Sequence, residues 1–513
     1  MHQKQYFLGI DVGTSSVKIG LFDHKGYPIA FESEAFSLTT PKSGWAEQNV
    51  YEWWNAICTA SIRLMNNNDV DKKSILGMSL DSTCCTVVCL DKQMKVIRPA
   101  ILWMDVRASK QAKAITSIGH DVLKYVGYGN VSAEMMPAKV LWLKENEREN
   151  YDKSKYIMEC TDWLLYKLTG ELNASIAACS PRWLFDKNDE GSSLDFYKQC
   201  GIEDVIEKYP NDILSMGTKI GTLSKKSADA MGLIPGIPVG EGGPDAFVGM
   251  IGLNVVNPRK VAMITGTSHL LLSLVEKELH SEGIWGSYPD AIVKGHQLIE
   301  GGQTSTGSII EWFKKNFMAN IEQDAKAQGK STYDLLEEVA KDIPVGAEGL
   351  LALDYFQGNR APYADPDVRG MIYGLSLNHT PYHIYRAIIE SICYGTENII
   401  NSFKKSGTAT TGIYVAGGAV KSSFWLQIHS DVSNVPLFIP EVTEAPCLGS
   451  AILGAVSSGF YPDIQSASNE MVRFKEIIEP NSLKTDEYKF FFDKYIEAYE
   501  KSKDWMHEVT KRG

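Results

Sequence analysis

Residues Leu8 to Phe22 read Leu-Gly-Ile-Asp-Val-Gly-Thr-Ser-Ser-Val-Lys-Ile-Gly-Leu-Phe, and residues Val261 to Leu272 read Val-Ala-Met-Ile-Thr-Gly-Thr-Ser-His-Leu-Leu-Leu. The same device occurs twice. In each copy an apolar run with β propensity ends in a tight turn, Gly13-Thr14-Ser15 or Gly266-Thr267-Ser268, and a second apolar run follows, so each predicts a β-hairpin. Gly lets the backbone turn where a Cβ would clash, and the small hydroxyl residues leave N–H and O–H donors for phosphate oxygens. Only the first copy carries an acid, Asp11, at the strand end. A carboxylate beside a polyphosphate repels it unless a divalent cation lies between them, so Asp11 points to a hydrated Mg²⁺ site. Either turn alone is an ordinary hairpin; the duplication and the acid point to a nucleotide. No Gly-x-x-x-x-Gly-Lys-Ser/Thr loop exists, and the turn after Asp11 leads into a strand rather than a helix.

Two further Gly-rich turns could do chemistry. Gly242-Gly243-Pro244-Asp245 holds a lone acid on a stiffened turn after a strand, where backbone can approach a ligand and the carboxylate direction is set. In phosphoryl transfer an alcohol nucleophile must lose its proton, and Asp245 is the candidate base; in isolation such an Asp is a local turn former. Ala416-Gly417-Gly418-Ala419 follows a strand and opens a helix near Ser422, which suits either a shelf for a flat ligand or tight strand–helix packing.

The elements that must position these residues belong to a long chain. With 513 residues it exceeds one ordinary core, and its 44 % hydrophobic and 22 % charged residues read as globular throughout. A net charge of −12 argues against nucleic acid or an acidic membrane surface as partner and leaves small molecules. No apolar run reaches the ~18 residues of a membrane span, and Asp11 interrupts the first apolar stretch, so a cytoplasmic location is expected. The nine cysteines are odd in number and sit mostly in apolar context, as reduced core thiols do. Cys84-Cys85-x-x-x-Cys89 lacks a second ligand pair at metal-site spacing.

Along the chain, strands are expected at Ile75 to Leu80 and Thr411 to Ala416, and Thr86 to Leu90 resumes β character before the segment Ile101 to Arg107. Helices are expected over Arg107 to Trp142, Asp162 to Leu168, Thr306 to Phe317 and Pro381 to Phe403. The polar stretch Asn254 to Arg259 marks a boundary between a first domain, 1–254, and a second, 255–513. The segment 485–511 predicts an amphipathic closing helix that packs through Phe490, Phe491, Tyr495 and Tyr499.

Paired hairpin clips around one nucleotide resemble the actin-like ATPase fold, and the chain is similar to the FGGY family of carbohydrate kinases from Phe7 to about Phe460. The most specific segment is Gly370-Met-Ile-Tyr-Gly374-Leu375, then seven residues, then His383-Ile384-Tyr-Arg-Ala387-Ile388-Ile389-Glu390, which fits the family's C-terminal pattern at every defined position. Lys139-Val140-Leu-Trp142-Leu143-Lys-Glu145-Asn146 agrees with its N-terminal pattern, although Met136 stands where a small residue or Pro is usual and Pro137 is displaced by one. The resemblance implies an α/β protein of two actin-like (ribonuclease H-like) ATPase domains with a cleft between them, the sugar mostly on the N-terminal lobe and ADP mostly on the C-terminal one. It implies Asp11 at the Mg²⁺–phosphate region, Gly13, Thr14 and Ser15 in the first clip, and Gly266 and Thr267 in the second. It places Gly307 and Glu311 at the ribose, Gly418 and Ser422 at the adenosine, and Asp245 as base. ATP and Mg²⁺ are the cofactors it implies, and a homodimer is left open.

Several segments look most like ribulokinases: Asp81-Ser-Thr-Cys-Cys-Thr-Val87, Trp103-Met-Asp105-Val-Arg107, Ser132-Ala-Glu134-Met135, Glu300-Gly-Gly-Gln303, and Asn359-Arg360-Ala-Pro362. Thr83, Asp105, Arg182 and Glu300 are polar groups able to bond sugar hydroxyls, and Trp103 could wall the carbon chain; each polar group could instead be a satisfied structural one, Arg182 as readily as not. Cys84 departs from the charged residue at the matching place in glycerol kinases. The expected activity is therefore ATP-dependent phosphorylation of a primary hydroxyl of a small ketose, a pentulose such as D- or L-ribulose. The alternatives are xylulose or a small polyol such as erythritol as substrate, or an actin-like ATPase switch acting on a protein partner.

Overall fold

The computed structural model describes residues 4–512 apart from 187, 211 and 408. Two mixed sheets dominate it, built on one plan. In the first, the central strand Tyr6–Val12 pairs antiparallel with Ser16–Asp23, which pairs with Pro28–Ala35. On its other side Tyr6–Val12 pairs parallel with Ile75–Ser82, followed by Pro238–Gly240 and an antiparallel edge, Lys219–Thr222. In the second, Lys260–Thr265 takes the central place, with His269–Val275 and Gln297–Gln303 as the antiparallel meander. Gly412–Gly417 and Leu437–Pro440 are its parallel neighbours, and Phe474–Ile478 is the antiparallel edge. Order and sense match strand for strand; Trp285–Pro289 extends the second meander. This duplicated plan is the actin-like architecture, so both expected hairpins and the expected fold class are present.

The halves interlock more than the boundary near residue 254 implies. The helix Ala445–Ser457 lies on the first sheet, not the second. Its contact is close enough that a Cβ on Gly9 would lie 1.8 Å from Cys447 O and one on Gly77 2.1 Å from Gly454 O. Cys447, Leu448, Ala451, Ile452 and Leu453 are buried there, and Ser450 donates to Asp81 at 2.7 Å. One large buried cluster is therefore shared by the two sequence domains, beside a cluster that belongs to each alone.

The family's C-terminal pattern proves to be scaffold. Thr380 opens the helix Pro381–Phe403 with a capping box, and within it Arg386 pairs with Glu390 at 2.6 Å, buried, and reaches Tyr488 of the closing helix. Gly374 has φ +82° and passes 2.3 Å (as a Cβ) from Gly349 O, a conformation and approach only Gly accepts.

Two expectations need correction. Helix over Arg107 to Trp142 is interrupted: Ser109–Ile118 stops at Gly119 (φ +68°), a 3₁₀ segment Asp121–Val126 stops at Gly127 (φ +63°), and Met136–Asn146 starts anew with Pro in its first turn. After the short paired strand Ala100–Ile101, Asp105 bends the chain by accepting from Arg107 N at 2.9 Å. The closing helix, Ser482–Thr510, buries Tyr488, Tyr495, Tyr499 and Met506, whereas Phe490 is 58 % exposed. Phe490 lies two positions after Tyr488, about 200° around the axis, which turns it to solvent.

Candidate active site

The two clips close alike. Gly13 N–H bonds Ser16 O at 3.0 Å and Gly266 N–H bonds Ser268 O at 2.9 Å, but the first turn is longer: Val12 pairs with Val17, whereas Thr265 pairs with His269. Each clip borders its own cavity.

The first cavity has a volume of about 270 Å³ and is lined from both halves of the chain. Thr14, Thr83, Cys84, Trp103, Arg182 and Asp245 come from the first half, and Trp285, Glu300 and Arg360 from the second. Trp103 Nε1 donates to Thr14 Oγ1 at 3.1 Å, fixing the wall of the cavity to the first clip. Lys139, fully buried, holds this wall from behind: its Nζ donates to Cys85 O at 2.7 Å and Leu102 O at 2.6 Å, next to Cys84 and Trp103. The family-like pattern around Lys139 thus acts by bracing two loops. Burial lowers the Lys139 pKa.

Asp245 is the first residue of the helix Asp245–Gly252, rather than the middle of a turn, and its Oδ1 accepts from Ala246 N at 2.7 Å. Burial, with the nearby Cys84 and Asp11, pushes its carboxyl up to about 7, which suits a base working near neutral pH. Asp11 lies beside Asp81 on the neighbouring parallel strand. Burial raises the pKa of both, and that of Asp81 well above the usual range, with the charges of Asp11 and Asp245 adding to it. Asp81 is a member of this acidic group that the duplicated hairpin did not reveal; its pairing with Asp11 needs the sheet register.

Arg182 and Glu300 meet in the cavity. Nη1 and Nη2 of Arg182 bond Oε1 and Oε2 of Glu300 at 2.8 and 3.2 Å. Trp285 stands by both arginines, with the Arg360 guanidinium 4.4 Å and that of Arg182 6.0 Å from its ring centroid. Trp285 carried no sequence signal, since nothing near it has motif spacing. Thr83 Oγ1 is 3.1 Å from Thr86 Oγ1. Asp105 is the exception among the expected sugar contacts. Its carboxylate is fully buried, accepts from Ala46 N at 2.6 Å and pairs with both Nε and Nη2 of Arg107. Arg107 is in turn packed 3.7 Å from the Trp45 ring centroid. With its oxygens so engaged, Asp105 shapes the turn that carries Trp103 and does not line the cavity.

The second cavity, about 460 Å³, is lined by Gly266, Gly307, Tyr333, Gly418, Ser422 and Trp425, among others. Thr267 O accepts from Thr306 N and Ser308 N at 3.0 and 3.1 Å, seating the start of the helix Gly307–Phe317 on the second clip. A Cβ on Gly307 would lie 2.3 Å from Gly266 O. Gly418, by contrast, has nothing within 4 Å of its would-be Cβ, so it leaves an open shelf. Ser422 caps the helix Ser423–Ser433 by accepting from Trp425 N at 3.0 Å. Glu311 is exposed and outside the cavity wall, accepting from the Tyr333 hydroxyl at 3.1 Å.

Comparison with known proteins agrees with this geometry. The N-terminal domain of the FGGY family of carbohydrate kinases matches residues 6–252 and its C-terminal domain residues 261–458. An FGGY carbohydrate kinase domain-containing protein of Xenopus laevis is 34 % identical, covering 97 % of this chain and 96 % of its own length. A ribulokinase of Anoxybacillus flavithermus is 30 % identical, covering 99 % and 96 %. Among solved structures, a gluconate kinase from Lactobacillus acidophilus superposes with TM-score 0.86 at 22 % identity over 97 % of this chain and 98 % of its own. A xylulose kinase from Rhodospirillum rubrum gives 0.85 at 22 % over 98 % and 100 %. With both family domains present in order and relatives matching end to end, this chain belongs to the FGGY family of carbohydrate kinases and is a phosphotransferase.

Proposed function

We propose that the protein transfers the terminal phosphoryl group of ATP to a primary hydroxyl of a ketopentose of the ribulose type. The observation that carries this reading is the first cavity: it brings Asp245, the Thr14 clip and the Arg182–Glu300 pair around a volume of about 270 Å³, the scale of a small sugar. Similarity to ribulokinases over almost the whole chain supports the ribulose type.

In this reading Asp245 takes the hydroxyl proton, which its raised pKa allows near neutral pH. Arg182 donates to, and Glu300 accepts from, hydroxyls along the carbon chain, while Trp103 and Trp285 form apolar walls. Closure of the two domains excludes water, so the phosphoryl group reaches the sugar rather than solvent. The base lies on the Gly418 shelf between Tyr333 and Trp425. The chain fits a Mg²⁺ held chiefly by phosphate oxygens and water, with Asp11 as its protein carboxylate: Asp11 and Asp81 are crowded, desolvated acids at the end of the first hairpin strand. Mg²⁺ would there neutralise the phosphate charge. A panel of ketopentoses and polyols assayed for ADP formation tests the reading; D-ribulose or L-ribulose should give the highest specificity constant, and preference for D-xylulose over both would overturn the ribulose assignment.

A further inference from the structure

A thiol stands on the wall of the cavity that the proposed function gives to the sugar. Of the cysteines, all but Cys58 and Cys84 are buried. Burial pushes the Cys58 thiol up to about 11, which leaves it protonated and inert at neutral pH. Cys84 is different. The Cys85 S–H beside it and the Arg182 guanidinium bring it down to about 6. The cavity it lines also holds Thr83, Asp245 and Glu300. Arg182, only 8 % exposed, has an Nε–H without a partner among the described residues. A partly open sulfur thus faces a buried cation with a donor to spare, inside a space that a small polar molecule can enter.

We propose that Cys84 is a site of reversible oxidation by hydrogen peroxide, and that oxidation there blocks the sugar cavity. An electron pair of the Cys84 sulfur attacks one peroxide oxygen; the S–O bond forms as the O–O bond breaks, and the departing hydroxide takes a proton from solvent and leaves as water. Sulfur is oxidised by two electrons and peroxide is reduced by two, giving Cys84 sulfenic acid. The Arg182 charge faces the oxygen that becomes negative. Cys85 is poorly placed to form a disulfide, because consecutive Cα atoms are ~3.8 Å apart and a relaxed disulfide needs ~4.4–6.8 Å. Its own thiol is also held well above the usual range by Cys84 and burial. The sulfenic acid therefore persists until a small external thiol attacks its sulfur, expelling water, and a second thiol releases Cys84 from the mixed disulfide. While it lasts, the added oxygen takes up space in the cavity that Cys84 lines with Arg182 and Asp245.

The inference rests on the sugar reading for its effect on activity, but not for the modification itself, and the experiment separates the two. The full-length protein is treated with dilute hydrogen peroxide, trapped with dimedone and mapped by peptide mass, with and without saturating D-ribulose, and sugar-dependent ADP formation is followed before and after dithiothreitol. Cys84 should gain one dimedone adduct on the order of 100-fold faster than Cys58, from the difference in thiolate fraction offset by nucleophilicity. Activity should fall in step and return with dithiothreitol, and the ketose should slow the labelling. Labelling of Cys84 at the same rate with every ketose upholds the modification site but overturns the placing of sugar in this cavity. An unlabelled Cys84, or a Cys84→Ser protein losing the same fraction of its own untreated activity, overturns the proposal.

Discussion

Arg182 and Glu300, 118 positions apart in sequence, form a two-pronged ion pair at 2.8 and 3.2 Å in which both side chains line the sugar-sized cavity. Each comes from a different half of the chain, so the pair both closes the cavity and ties the halves. Glu300→Gln keeps the shape but leaves the Arg182 charge uncompensated. The KM for the sugar should rise at least about tenfold, the loss of one hydrogen bond to a charged group, while the KM for ATP changes little. Steady-state kinetics with each substrate varied checks this; an unchanged sugar KM would remove the pair from the sugar site.

Asp245 links activity and stability. Asp245→Asn should lower turnover ~10²–10⁴-fold, as loss of a positioned base does, and in the wild type kcat/KM should fall as pH drops below about 7, where Asp245 gains its proton. The stability effect has the opposite direction. The carboxyl is raised in the folded state from 3.8 to about 7, so the folded form holds the proton longer, and stability is lost as pH rises between those values. Asn carries no such cost. The variant should melt higher than wild type at pH 8, by an upper bound of roughly 4 kcal/mol, and the difference should vanish near pH 4. Calorimetry across pH measures it; equal melting at pH 8 would mean that Asp245 is not desolvated.

Asp11→Ala should weaken Mg²⁺-dependent nucleotide use while leaving sugar affinity nearly intact, since Asp11 sits at the first clip and outside the cavity wall. Calorimetric titration of both ligands decides it. A variant with ordinary magnesium dependence and weakened sugar binding would contradict the assignment.

Gly418 and Gly307 make a paired test of the nucleotide cavity. Gly418→Val places its side chain in open space on the shelf, so the ATP KM should rise by about two- to tenfold, on the order of one lost aromatic contact, with the melting temperature unchanged. Gly307→Ala forces a Cβ against Gly266 O and should lower the melting temperature as well. A Gly418→Val protein with normal ATP KM would place the base elsewhere.

The duplicated hairpins were legible because each is local: β propensity, Gly turn and second strand lie within a dozen or so residues, and both appear where expected. So was the helix Pro381–Phe403, whose cap, proline and apolar spacing all lie in its own sequence. What sequence could not show is which polar groups are already satisfied. Asp105 and Glu300 look alike as isolated acids, yet one is consumed by Ala46 and Arg107 and the other faces Arg182 in a cavity. The role of Trp285 and the pairing of Asp81 with Asp11 were hidden for the same reason: they depend on partners brought together by sheet register and by the second half folding onto the first. The helix Ala445–Ser457 is the clearest case. Its own pattern says only that it is buried, and the glycines that receive it, Gly9 and Gly77, lie in the first sheet.

ADP formation measured with and without sugar tests the central claim most directly. A site completed by two domains closing on an alcohol should turn ATP over only when that alcohol is present. ADP release with D-ribulose or L-ribulose should exceed the sugar-free rate by at least about a hundredfold, the scale of a positioned base that has no alcohol to act on. Sugar-free ADP release equal to the best sugar-stimulated rate would contradict the kinase account and favour an ATPase that moves a partner protein.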